Sequence, residues 1–318
     1  MLKFLKKSKK ISKKSLIKYL LTSYLLLVLT LFYLVYKNYV SYLELQKTKM
    51  TAAAYEIESR FSNIMDYSES VLNSLGRKIA VTKGKKEQVN QILQSFNASD
   101  TDYKSINNLL SEGIFFWIDA RKMLTMSSQY GVVDVPIDVS GRDYLFLSEK
   151  NPWKIFIGNS TIGAVSGEYV MPAGVGIVDW KNNYLGTIAI SFKIYDLVKE
   201  FSKFSDFYQI DFVVLNNKDE IVIESAASKF LEDLAVLKNL QLLNDQDNHQ
   251  KVLDFRLSNK TSDYAILRNF EKYSYKILIV MKNRIIFLGA FYEILPDLIE
   301  LIIITFLFST ILYFVRKL

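Results

Sequence analysis

The chain has 318 residues, 50% of them hydrophobic and 14% aromatic, which is too apolar for a disordered polymer and enough to build one or two packed cores. Its formal net charge of +7 belongs to the ends: eight lysines (3, 6, 7, 9, 10, 13, 14 and 18) precede Tyr19, and Arg316 and Lys317 close the sequence. The remaining 30 basic and 33 acidic residues offer no basic face for a phosphate backbone, which argues against nucleic acid as a partner.

With no cysteine, disulfides, thiolate nucleophiles and cysteine-ligated metals are excluded by count. The one histidine, His249, lies in the polar run Asn244-Asp245-Gln246-Asp247-Asn248-His249 and reads as a solvated loop residue rather than a base or a metal ligand. No phosphate loop, dinucleotide fingerprint, zinc-protease motif or nucleophile elbow is present. Paired acids such as Asp263 with Glu271 carry no sign of unequal pKa values, so no enzymatic activity and no cofactor are expected.

Residues 1–18 read as a basic cytoplasmic tail, followed by eighteen uncharged residues at 19–36, close to the ~20 needed to cross a bilayer as a helix. A cleaved signal peptide is the competing reading, but Lys37-Asn38-Tyr39 follows where a small-x-small site would stand. A second span is expected over 298–315: fifteen uncharged residues run from Leu301, and Glu300 is assigned to the interface. The basic flanks place residues 316–318 and the amino terminus together in the cytoplasm, and the region between the spans outside it, in a multi-pass protein of the bacterial inner membrane.

Beyond the first span, Met50, Ala54, Ile57, Phe61, Ile64, Ser68, Val71 and Leu75 recur in steps of four and three, one face of a long extracytoplasmic helix over 37–80. That face can bury against its own domain or against a second copy in a homodimer. The texture then changes, with nine of twelve glycines between Gly113 and Gly186 among short β-branched and aromatic runs. Strands are expected near 113–119, 122–129, 154–158, 166–178 and 185–192, with a loop through 135–138, a short helix or turn at 140–146 and a hairpin tip at 179–183. A helical piece at 194–201 leads to a second set near 211–215, 220–223, 251–258, 263–269 and 274–281.

The fold class is therefore α+β: a long N-terminal helix, then two mixed α/β units in series, distal over 81–200 and proximal over 201–285, flanked by two transmembrane helices. This layout, with Ile137-Asp138-Val139-Ser140-Gly141-Arg142-Asp143-Tyr144-Leu145-Phe146, the pairs Ile157-Gly158 and Ser166-Gly167, and the run Leu185-Gly186-Thr187-Ile188-Ala189-Ile190, resembles the double Cache family of bacterial extracytoplasmic sensors over roughly residues 40–285. The resemblance implies two PAS-like units, signal transduction, and a small-molecule ligand in the distal unit held by Arg142 and Tyr144, with Trp153 and Tyr169 as further lining residues. Arg142 can equally tie its own loop to an acid such as Asp138. Family members that bind amino acids carry an aspartate where this chain has Ser191, which argues against an amino-acid ligand.

The family normally continues past the second span into an output domain, whereas this chain stops at Leu318, which points to a truncated receptor or one that signals through a partner in the membrane. The alternative function is an envelope membrane protein whose extracytoplasmic domain binds another protein. A concave, partly polar pocket beneath Arg142 favours the sensor, and a filled apolar interior favours the alternative.

Overall fold

The computed structural model describes residues 13–99, 113–216, 218–225, 253–258, 261–270, 272–273 and 275–317. The loop reading of His249 and the Asp263–Glu271 pair fall outside what it describes. The chain divides into two compact units, one of residues 1–49 with 282–318 and one of 50–281.

The first unit is built from the start of α1 (Lys13–Val81) and from α5 (Asn283–Lys317). Both helices contain stretches long and apolar enough to cross a membrane, and almost none of that apolar surface is covered by protein. They pair antiparallel: the Tyr24 ring stacks on Phe308 at 4.3 Å, the Tyr24 hydroxyl bonds Thr305 Oγ1 at 3.0 Å, and Asn38 Nδ2 donates to Asp297 at 2.9 Å. Helix α5 begins at Asn283, well before the charged cluster expected to precede it, and carries Pro296 inside.

In the second unit the 4–3 stripe of α1 is buried throughout, from Met50 to Leu75, against the unit's own sheets. Phe61, fully buried, is the centre: ring centroids of Phe270 and Tyr275 lie 5.6 Å away and those of Phe201 and Tyr273 6.4 Å away. Own-domain packing therefore accounts for the stripe. The helix ends where Lys83 turns left-handed (φ 57°) and Gly84 N–H reaches back to Ile79 O, a Schellman closure. Helix α2 (Lys86–Ser99) follows, an element the sequence reading missed.

The distal sheet contains β1 (Ile114–Asp119), β2 (Met123–Ser127), β3 (Gly131–Asp138), β4 (Ile155–Ile157), β5 (Thr161–Ile162), β6 (Tyr169–Val178) and β7 (Tyr184–Lys193). Its order is β3-β2-β1-β7-β6-β4, with β5 on β6, all antiparallel. The proximal sheet contains β8 (Asp211–Leu215), β9 (Ile221–Glu224), β10 (Leu253–Ser258), β11 (Thr261–Phe270) and β12 (Tyr275–Met281), ordered β10-β11-β12-β8-β9. In both, the first strand lies between the second and the last, so the two PAS-like units repeat one topology.

Two expectations need correction. Residues 135–138 are not a loop: they finish β3, the edge strand of its sheet, in which Asp134, Val135, Pro136 and Asp138 are exposed. The helix after β7, α4 (Ile194–Tyr208), runs seven residues past Phe201, because Leu197, Phe201 and Ser205 keep one face buried before Gln209 turns left-handed.

Candidate functional site

The two faces of the distal sheet do different work. Trp117 and Ile177 point to the α1 side, where Gly76 lets the helix approach Ile177 so closely that a Cβ would sit 2.2 Å from its Cδ1. Ile114, Phe116 and Ile118, the alternate residues of β1, point the other way, as do Val170 and Pro172 of β6 and Ser191 and Lys193 of β7, since Pro172 pairs with Ser191 and Val170 with Lys193. They floor a cavity of about 40 Å³.

The start of α3 (Asp143–Lys150) forms one wall. Arg142 is its N-cap, in extended backbone, and Tyr144 in the first turn lies over β6. Glycine permits this, since a Cβ at Gly174 would stand 2.8 Å from Tyr144 Cε2 and one at Gly158 2.6 Å from Cδ1. Burial pushes the Tyr144 hydroxyl well above its ordinary pKa, so it is a neutral donor at any physiological pH. Behind it a buried hydroxyl chain links Ser148, Thr187 and Tyr184, with Thr187 Oγ1 2.9 Å from Ser148 Oγ and 2.6 Å from Tyr184 Oη.

The roof is the segment 161–168, contributing Thr161, Gly163, Ala164, Ser166 and Glu168. It is a tight turn closed by Gly163 N–H to Glu168 O at 2.7 Å and Gly167 N–H to Gly163 O at 2.9 Å. Arg142 Nη2 donates to Ile162 O at 3.0 Å, so this one side chain fastens wall to roof. Asp138 instead accepts the Ser140 N–H, which holds its carboxyl below the usual range. Arg142 makes no ion pair among the described residues, and most of its five donors are uncommitted.

The structure thus brings Arg142, Tyr144 and Ser191 to one cavity. Trp153 and Tyr169 are elsewhere. Trp153, at φ 66°, donates its N–H to Gly176 O and accepts Asn73 Nδ2 at its carbonyl, in the turn on the α1 side. Tyr169 is more than half exposed and precedes Val170, so it points away from the floor. Sequence reasoning missed Glu168 and Lys193, which form an ion pair at 3.0 Å on the cavity rim. Strand alternation from Ser191 was the signal that could have found Lys193.

A long helix carrying two serial PAS-like antiparallel units is the double Cache fold, which this chain shares with several solved structures. The ligand-binding domain of the Campylobacter jejuni chemoreceptor Tlp3 in complex with L-norvaline superposes with a TM-score of 0.57 at 15% identity, covering 77% of this chain and 94% of that one. The corresponding domain of the Pseudomonas fluorescens chemoreceptor CtaA in complex with L-isoleucine gives 0.57 at 9% identity, covering 77% and 95%. The ligand-binding domain of Mlp24 with asparagine gives 0.55 at 9%, covering 80% and 98%. No protein-family model matches the sequence, and no curated protein does.

Proposed function

We propose that this protein is a membrane-anchored extracytoplasmic sensor domain that binds a small carboxylate in the distal cavity and passes the event to the membrane helices. The observation that carries this reading is a guanidinium that, among the described residues, has one hydrogen bond and no ion pair, lining a largely apolar cavity with a neutral tyrosine. Its fork suits a carboxylate, and Ile114, Phe116 and Val170 suit a short carbon body. An α-ammonium finds little there: Ser191 is neutral, and Glu168 already serves Lys193.

A volume of about 40 Å³ suits a ligand of few heavy atoms, or a larger one that displaces the roof by taking Arg142 from Ile162. Such competition gives two states with different affinities, which signalling requires. The antiparallel pairing of α1 with α5 supports a two-pass arrangement with both ends on one side.

The test is a thermal-shift screen of the full chain in lipid nanodiscs against acetate, propionate, lactate and amino acids, in wild type and Arg142→Ala. A carboxylate at about a hundred times its Kd adds roughly 2.7 kcal/mol. Loss of that shift in Arg142→Ala is the expected result. A cooperatively melting protein that no carboxylate stabilises would refute the proposal and favour a protein-binding domain.

A further inference from the structure

A second cavity lies away from Arg142. A cavity of about 320 Å³ lies between the two PAS-like units, eight times the distal one and within the range of small-molecule sites. The distal unit contributes Asp143, Lys154, Phe156 and Asn159, and the proximal unit Asn216, Lys272, Tyr273 and Tyr275.

The charges on these walls are specific. Lys272 is neutralised by Asp66 of α1, which also accepts the Tyr273 hydroxyl. Asp143 and Lys154 make no ion pair among the described residues, with each other or with any third group. Among the described residues Asp143 accepts its neighbour's backbone N–H, from Tyr144 at 2.9 Å. Among the described residues the cavity therefore presents one unpaired negative and one unpaired positive charge, both at exposed positions, together with the side-chain amides of Asn159 and Asn216 and apolar surface from Leu147, Ile155 and Ile157.

We propose that this inter-unit cavity is a second ligand site, for a small zwitterion whose ammonium meets Asp143 and whose carboxylate meets Lys154. A ligand there bridges both units at the root of the distal roof. Asn159 Nδ2 donates to Glu220 at 3.1 Å and its Oδ1 accepts Asn216 Nδ2 at 2.7 Å, while Ser160 Oγ donates to Val222 O at 2.8 Å. Thr161 follows directly and opens the roof over the other cavity. The same segment thus serves both sites, and binding at one biases the other.

The experiment is calorimetric titration of the full chain in nanodiscs with L-alanine, β-alanine and γ-aminobutyrate, whose charges are progressively further apart, against propionate and propylamine as singly charged controls. At least one zwitterion binds more tightly than either control. Asp143→Asn and Lys154→Gln, near-isosteric and at exposed positions, each weaken it by about tenfold or more, a larger loss than Arg142→Ala brings through the shared segment. The proposal is overturned if no zwitterion outbinds the controls, or if zwitterion binding is lost in Arg142→Ala and kept in the other two variants. Propionate binding that depends on Arg142 reports on the distal cavity alone, so failure of one site is distinguishable from failure of the other.

Discussion

Gly176 is the position at which the seating of α3, and with it the site, can be tested most directly. A Cβ added there would stand 2.0 Å from Ser148 O and 2.6 Å from its carbonyl carbon, both backbone atoms that no rotamer change removes. To restore ordinary contact at 3.4 Å, α3 would have to retreat from β6 by about 1.4 Å, carrying Arg142 and Tyr144 with it. Overpacking of this kind costs about 1–3 kcal/mol, which for a domain of this size lowers the melting temperature by roughly 2–12 °C. Gly141, beside Arg142, has nothing within 4 Å of an added Cβ, and Gly141→Ala is the matched control, neutral or slightly stabilising. The assay is thermal unfolding of both variants in nanodiscs followed by tryptophan fluorescence, with carboxylate titration at a permissive temperature. Gly176→Ala melting and binding like wild type would show that α3 does not rest on β6 as described, and the cavity geometry would fall with it.

Phe61→Ala empties the centre of the aromatic cluster on α1 and costs about 3–5 kcal/mol in urea or thermal unfolding without changing the mass of the particle; a small cost together with loss of a dimer would return the stripe to an intermolecular interface. Burial favours neutral Tyr144, so its pKa is raised in the folded state relative to the unfolded one. That contribution is fully present below about pH 10 and is lost as pH rises beyond it, so alkaline unfolding is less steep in Tyr144→Phe. Tyr184 and Tyr275, also raised chiefly by burial, retain part of the slope. Equal slopes in the two proteins would show that Tyr144 is not sequestered from water.

What could be read from the order of residues was periodic or local. The 4–3 stripe of α1, the uncharged runs, the hairpin tip at 179–183 and the strands around Phe116, Ile188 and Leu278 each follow from a spacing that one element imposes on itself. Arg142 and Tyr144 stood out because a recognisable segment carries them. The end of edge strand β3 resembles a loop in sequence because Pro136 and the acids around it suit an exposed edge as well as a turn. The extent of α4 past Phe201 was set by a sheet that its own residues do not name.

The site itself needed the tertiary structure. Lys193 and Glu168, distant from Arg142 in sequence, reach its cavity only because β7 lies between β1 and β6 and a turn folds back over them. Trp153, an equally plausible aromatic, is turned to the other face by one left-handed residue. The larger cavity joins Asp143 and Lys154 to Tyr273 and Tyr275 across two units, and no local pattern encodes that distance. Sequence by itself determined which segments become helix and strand and which faces are apolar, because those depend on neighbours three or four places away. Which charges end unpaired, and facing what, was decided only by packing, since compensation of a charge depends on every element that folds against it.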